Sequence, residues 1–357
     1  MSEPDYTRRR KKLHLELRSN QPEGYYTDDL LNLRYLTGFK GSAGSMVLLD
    51  SSKSILFLDG RYRNYGETFE ADDLKVEQID SDRIESLQEV ISSENVESVH
   101  FERDRLSYSV FRSIVEKTEL EERTYGDDWI GNFRKEKDES EIENHEEAIR
   151  RTLDLFDIVE TWIEPGISER KMSRFVRREL EERGEGLAFD PLVLMGERTA
   201  NPHCPSTDHS LGQNDALLLD MGVKVNGYCS DLTRMFFTEE GTRQEELYDL
   251  SKRAAARAFD IIEPGVSTET VTEKAHDLVR DEGFKDNIRH GLGHGVGLNV
   301  HEPPKVSEKS DETLSEGMIV TLEPGIYIDG VGGGRIEHMC LVTEDGARIL
   351  DEANEYI

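Results

Sequence analysis

Apolar residues fall in short runs separated by polar stretches with helical spacing. From Leu30 to about Ile130, strand-like runs (MVLLD, SILFLDG and SVHFE) alternate with amphipathic stretches such as residues 83–92, which predicts a small α/β unit. The charged stretch RKEKDESEIENHEE, residues 134–147, is the predicted linker and runs into a long helix over 141–163 that Pro165-Gly166 stops. A second helix is predicted over 168–182, then turn-rich sequence around 201–205 and an apolar strand over 216–221. The theme recurs with helices over 245–262 and 268–282, parted by Pro264-Gly265, and then glycine-rich strands. The two stops, IEPGIS at 163–168 and IEPGVS at 262–267, are nearly the same six residues and suggest an internal duplication.

A chain of 357 residues exceeds the usual single-core size, so two domains are expected, 1–133 and 134–357. No apolar run approaches the roughly 20 residues that cross a bilayer. The basic start, Arg8 to Lys12, is followed by LHLELR rather than an apolar signal core, so the expected location is cytoplasmic. Formal charge is −31, spread along the whole length, and such a field repels nucleic-acid phosphate. Arg (29) outnumbers Lys (15), which together with the acidic surplus suggests adaptation to high salt. Screening over about 3 Å at molar ionic strength would relieve the self-repulsion. Cys204, Cys229 and Cys340 lack the spacing of a zinc site or a disulfide framework and read as reduced, mostly buried thiols.

The strongest local signal is LLLDMGVKVNGYCSDLTRMFF, two strands joined at Asn226-Gly227, a dipeptide favoured in tight hairpins. That turn puts Asp220 opposite Thr233 and makes Asp231 a diagonal neighbour of Asp220, roughly 7 Å away. Both acids lie among apolar residues, where paired carboxylates are costly without a positive partner. Arg234 could satisfy both in one ion-pair network. A second pair changes the balance: in TLEPGIYIDGVGGGRIEHMCLV a hairpin centred near Gly330 puts Glu323 and Glu337 on one face, and Pro324 favours extended backbone at Glu323. Four carboxylates carry a charge that two divalent cations cancel. HGLGHGVGLNVHE adds His290, His294 and His301, with glycines flanking His294 on both sides. Oxygen-rich sets with one imidazole suit Mn²⁺ or Co²⁺ and also accept Zn²⁺ or Fe²⁺. Spacing alone does not say which histidine is the ligand.

These residues resemble the pita-bread metallopeptidases, in the branch that contains Xaa-Pro dipeptidase (prolidase) and aminopeptidase P. The likeness covers nearly the whole chain: D-x-G at Asp220, a second Asp eleven residues on at Asp231, G-H-G-x-G-L-x-V-H-E at His294, T-x-E-P-G-x-Y at Glu323 and R-I-E at Glu337. NLRYLTGFKGSAG and LFLDGRY resemble the creatinase-type domain that precedes the catalytic domain in this branch. The implied fold is a mixed α/β (α+β) pita-bread catalytic domain behind a smaller α/β amino-terminal domain. The resemblance implies that Asp220, Asp231, His294, Glu323 and Glu337 hold two metals. It implies hydrolysis of Xaa-Pro bonds in dipeptides or short peptides by a metal-bridging hydroxide, with Glu323 as general base, His301 stabilising the tetrahedral intermediate and His203 near the scissile bond. His290 is implied to line the substrate pocket and Arg335 to orient a ligand beside the substrate. His338 stands where the family commonly has an acidic residue. Short proline-containing peptides are the expected partners, with no nucleic acid and no membrane, and a homodimer the expected assembly. An aminopeptidase P acting on longer peptides and a non-catalytic peptide-binding module on the same fold are the competing readings.

Overall fold

Each long helix starts where a short polar side chain can accept from an orphan backbone N–H. Asp82, Asp138, Ser168, Thr242 and Ser267 cap the helices Arg83–Glu94, Glu139–Glu160, Glu169–Arg183, Arg243–Phe259 and Thr268–Asp281. The computed structural model describes residues 2–20, 22–79, 82–118, 120 and 125–351. The chain divides into two units, Glu3–Arg134 and Lys135–Ile357.

The division falls at the start of the charged stretch 134–147, but most of that stretch is helical. Asp138 and Glu141 form a reciprocal capping box, and the helix Glu139–Glu160 begins inside that stretch. Only residues 136–138 separate it from the helix Trp129–Lys135. The helix buries one stripe that includes Asn144, His145 and Ala148, so most of its surface stays charged.

The smaller unit is a six-stranded mixed sheet in the order Leu74–Ile79, Ser54–Asp59, Ser45–Leu49, Gly24–Thr27, Val99–Glu102, Tyr125–Gly126. It starts earlier than the hydrophobic pattern shows. The helix Tyr6–Asn20 buries Arg9, Arg10 and His14 beside Leu13 and Leu17, so its inward face reads as polar. Arg10 is satisfied there by Asp73 at 2.7 Å and by the Leu36 carbonyl at 2.8 Å.

In the larger unit two helix pairs cover two antiparallel sheets. The helices Glu139–Glu160 and Glu169–Arg183 bury Leu155, Met172 and Val176 in one cluster with Val193, Leu217 and Leu219. These last come from the three-stranded sheet Leu232–Phe237, Ala216–Met221, Leu192–Met195. The helices Arg243–Phe259 and Thr268–Asp281 do the same with the five-stranded sheet Glu302–Val306, Gly293–Gly295, Ile319–Leu322, His338–Thr343, Gly346–Ile349. The hexapeptide repeat reappears as matched hydrogen bonding. Gly166 N donates to Leu211 O and Gly265 N to Leu314 O, while Leu211 N donates to Ile167 O and Leu314 N to Val266 O. The displacement that carries Leu211 onto Leu314 also carries Asp220 onto Glu323.

Both predicted hairpins form. Asn226 (φ 48°) and Gly227 (φ 86°) make the turn, Val225 pairs with Tyr228, and Asp220 stands opposite Thr233. In the second, Leu322 pairs with His338 and Gly325 with Arg335, so one register runs through two ladders. Glu323 and Glu337 face each other at the interruption, where Pro324 has no N–H to donate.

Candidate metal centre

Strand ends and hairpin arms deliver the acids to one cavity of about 440 Å³ in the larger unit, lined by Asp220, Asp231, His294, Glu323 and Glu337 together with His203, His290, His301 and Arg335. Every site residue expected from the sequence lines this space. Ligand atoms of Asp231, His294 and Glu337 lie within 4.8 Å of one another. His294 Nε2 is 3.6 Å from both Asp231 Oδ2 and Glu323 Oε1.

Close backbone packing sets the His294 ring. A Cβ on Gly293 would sit 2.1 Å from the Thr321 carbonyl, and one on Gly295 2.2 Å from that of Pro303, so only glycine fits on either side. His294 Nδ1 lies 3.1 Å from the Gly295 carbonyl, which can only accept. The proton is therefore on Nδ1, and Nε2 presents a lone pair to the carboxylates. Burial, helped by the neighbouring His301, lowers the His294 pKa to about 4, so the ring is neutral.

Arg335 organises the acids. Its buried guanidinium donates to Asp220 Oδ2 at 2.7 Å, to Thr233 Oγ1 at 3.2 Å and to the Tyr327 hydroxyl at 3.3 Å. Thr233 Oγ1 in turn donates to Glu337 Oε2 at 2.9 Å. Arg234, which could have paired the aspartates, is committed elsewhere: to Asp351 at 2.5 Å and to the Glu337 carbonyl at 2.7 Å. Asp351 also takes His338 Nδ1 at 2.8 Å and Met339 N at 3.0 Å, so the residue that departs from the usual acid is held beneath Glu337 by an acid from the chain's last strand end.

The donor set fits divalent cations. Burial raises the pKa of Glu323 to about 8, and burial with mutual repulsion holds Asp231 and Glu337 well above the carboxylate range. One Arg335 does not balance four acids. Asp220 Oδ1 is buried and meets no hydrogen-bond partner among the described residues, although its other oxygen is paired. An orphaned carboxylate oxygen on one wall of the cavity and a bare imidazole nitrogen among the other acids are donors that cations satisfy.

The other histidines differ. His290 Nδ1 faces the Gly291 carbonyl at 2.8 Å, which leaves Nε2 to accept from the Tyr327 hydroxyl at 2.8 Å. Both its nitrogens are used, although Nδ1 also lies 4.0 Å from Glu323 Oε2. His203 and His301 are exposed at the cavity wall, and the His301 ring is 4.3 Å from that of His294. Thr233 and Tyr327 were not singled out from sequence, although Tyr327 sits within T-x-E-P-G-x-Y; Asp351 carries no local signal at all.

Residues 143–344 match the model of Metallopeptidase family M24, and residues 9–131 match that of the Creatinase/Prolidase N-terminal domain. The chain is 30% identical over 322 residues to an Xaa-Pro dipeptidase of Pyrococcus furiosus, covering 90% of each. An Xaa-Pro dipeptidase from Bacillus anthracis superposes with a TM-score of 0.92 at 27% identity, covering 98% of both chains. An X-Pro aminopeptidase from Thermotoga maritima superposes with a TM-score of 0.86 at 29% identity, covering 94% of this chain and 97% of that one.

Proposed function

This chain belongs to metallopeptidase family M24, and from that premise we propose that it hydrolyses the Xaa-Pro bond of dipeptides. The observation that carries the reading is the gathering of four carboxylates and one neutral imidazole in a single cavity, with an oxygen of Asp220 left without a hydrogen-bond partner among the described residues. Asp220, Asp231, His294, Glu323 and Glu337 would hold two divalent cations, Mn²⁺ or Co²⁺ by preference and Zn²⁺ or Fe²⁺ as substitutes. When bound, such ions supply Lewis acidity and lower the pKa of water.

The chain's own residues do the rest. Glu323 accepts a proton from the attacking water and passes it to the leaving imide nitrogen. His301 donates to the oxygen that gains charge as the carbonyl becomes tetrahedral, and His203, also on the cavity wall, serves near the scissile bond. His290, with both nitrogens engaged, gives the substrate an apolar wall, which suits a pyrrolidine ring. Arg335 holds Asp220 directly and Glu337 through Thr233, and its place on the cavity wall lets it face substrate as well. A homodimer in the cytoplasm is the proposed setting; no helix among the described residues is long and apolar enough to cross a membrane.

The likeness to the Thermotoga maritima X-Pro aminopeptidase keeps a second reading, trimming of longer peptides. The test is turnover of Gly-Pro, Gly-Pro-Phe and a Gly-Pro tetrapeptide by protein stripped of metal and reloaded with Mn²⁺ or Co²⁺. Activity on Gly-Pro alone supports the dipeptidase, and brisk cleavage of the longer peptides replaces it with the aminopeptidase. Glu323→Gln is expected to abolish turnover of every peptide the wild type cleaves, and retained turnover would overturn the mechanism; a metal-loaded wild type that binds these peptides and cleaves none of them would leave a peptide-binding module as the reading for the fold.

A further inference from the structure

Glu169 lies in the first turn of its helix, fully buried and outside the metal centre. Its carboxylate is saturated with donors. Oε1 accepts from Met195 N at 3.0 Å and Arg198 Nε at 2.9 Å, and Oε2 accepts from the backbone N and the hydroxyl of Thr207, both at 2.8 Å. Residues 195 and 207 are the two ends of the loop that brings Pro202 and His203 to the cavity. One side chain therefore closes the loop upon itself, and Arg198 adds a second span by donating to the Pro205 carbonyl at 2.9 Å. The His203 side chain makes no hydrogen bond to the described residues, so its place depends chiefly on the loop backbone that carries it.

The duplicated half supplies a control within the molecule. Thr268 occupies the position that matches Glu169, and the two backbone N–H groups make matching bonds, Glu169 N to His209 O and Thr268 N to Glu312 O. The frame of the turn is thus independent of the carboxylate. The acid is present only in the half whose loop carries His203.

The geometry points to Glu169 as a positioning residue for His203: by tying together residues 195 and 207 it fixes where that imidazole stands over the substrate. This rests on the proposed role of His203 in Xaa-Pro hydrolysis.

The test is a double-mutant cycle on the metal-loaded full chain with Gly-Pro as substrate, combined with hydrogen exchange of the loop amides. Glu169→Gln is expected to lower kcat/KM about ten-fold by misplacing a group without removing it. Exchange of amides in 198–206 should quicken about ten-fold while the helix 169–183 keeps its protection. The Glu169→Gln/His203→Ala double variant should be no slower than His203→Ala. Thr207→Val, which removes one of the four donors, should shift turnover and exchange in the same direction by less, and serves if Glu169→Gln does not fold. Wild-type turnover in Glu169→Gln, or a double variant whose loss is the product of the two single losses, would overturn the proposal while leaving His203 in place. If His203→Ala keeps wild-type turnover, the role of His203 fails and the positioning proposal falls with it, whatever the exchange data show.

Discussion

His145 makes the larger unit sensitive to acid in a way that can be worked from its surroundings. The ring is fully buried on the inner face of the helix Glu139–Glu160, edge-on to Tyr228 with centroids 5.3 Å apart. Nδ1 is 2.8 Å from the Cys229 carbonyl, so it carries the proton, and Nε2 meets no partner among the described residues. A second proton would therefore place an unpaired cation in an apolar core. Burial first, and nearby Lys137 second, lower the pKa to about 3, against the opposing pull of the Cys229 carbonyl.

The sign follows from proton counting. An unfolded histidine with a pKa near 6.5 takes up a proton as pH falls, and the folded one does not until about pH 3. Between those values the unfolded chain binds more protons, so stability is complete above about 6.5 and drains away as pH drops. At 1.36 kcal/mol per pH unit, moving from pH 8 to pH 5 removes about 2 kcal/mol. Other groups titrate over the same range, so the measurement is a difference. His145→Asn keeps a donor for the Cys229 carbonyl but cannot titrate. Of the two tryptophans, Trp129 is in the smaller unit and Trp162 in the larger, so a Trp129→Phe background leaves Trp162 as the reporter. Urea unfolding at pH 8, 7, 6 and 5 should show His145 ahead of His145→Asn at pH 8, with the gap closing by about 2 kcal/mol at pH 5. A gap that stays constant or widens in acid refutes the reasoning.

Three further outcomes are expected. Arg335→Met removes the donor that orients Asp220 and, through Thr233, Glu337, and should weaken metal affinity about 10–100-fold, read by calorimetric titration of the stripped protein with Mn²⁺; unchanged affinity would remove Arg335 from the site's architecture. Asp351→Ala removes the carboxylate paired with the buried Arg234 guanidinium, which keeps its backbone carbonyls but loses its counter-charge, and should cost about 3–5 kcal/mol, read by scanning calorimetry on the metal-loaded protein; an unchanged midpoint would refute it. Raising KCl from dilute to molar should raise the unfolding midpoint by screening a net charge of −31, and a falling midpoint would end the salt-adaptation reading.

What was legible in the sequence was what local chemistry dictates. Asn226-Gly227 set the first hairpin and so placed Asp220 opposite Thr233, and the even spacing about Gly330 set Glu323 across from Glu337. Flanking glycines marked His294 because the Thr321 and Pro303 carbonyls leave no room for a Cβ. Two local patterns misled for opposite reasons. The helix Tyr6–Asn20 hid because arginines, satisfied by Asp73 and by carbonyls, fill part of its inner face. The stretch 134–147 does hold the boundary between the units, but the connection looked longer than it is because a surface helix needs only one apolar stripe, and the D-x-x-E capping box at 138–141 was the signal for the earlier helix start. Glu169, Tyr327 and Asp351 act across long sequence separations, where no local pattern records a partner. The role of Arg234 was open on sequence and closed by Asp351, which lies 117 residues away.

The duplication explains why the site takes the form it does. In each half a strand (Leu192–Met195 or Gly293–Gly295) leads through a cavity-lining loop toward the strand that ends in an acid, Asp220 or Glu323. One loop brings His203 and the other His301 to the lining of the same cavity. Each half also returns a second acid on the next arm of its hairpin, Asp231 or Glu337. Two carboxylates from each half call for two divalent cations rather than one, since a single ion would leave two buried charges against one Arg335. Catalysis, however, needs the two sides of a scissile bond to differ, and the halves diverge where that matters. His294 and the Arg335–Thr233 relay break the symmetry at the metals, and the Glu169 clamp breaks it at the loop. On the proposed reading a symmetric frame sets the cation count, and a few long-range polar contacts distinguish the two sides of the cavity.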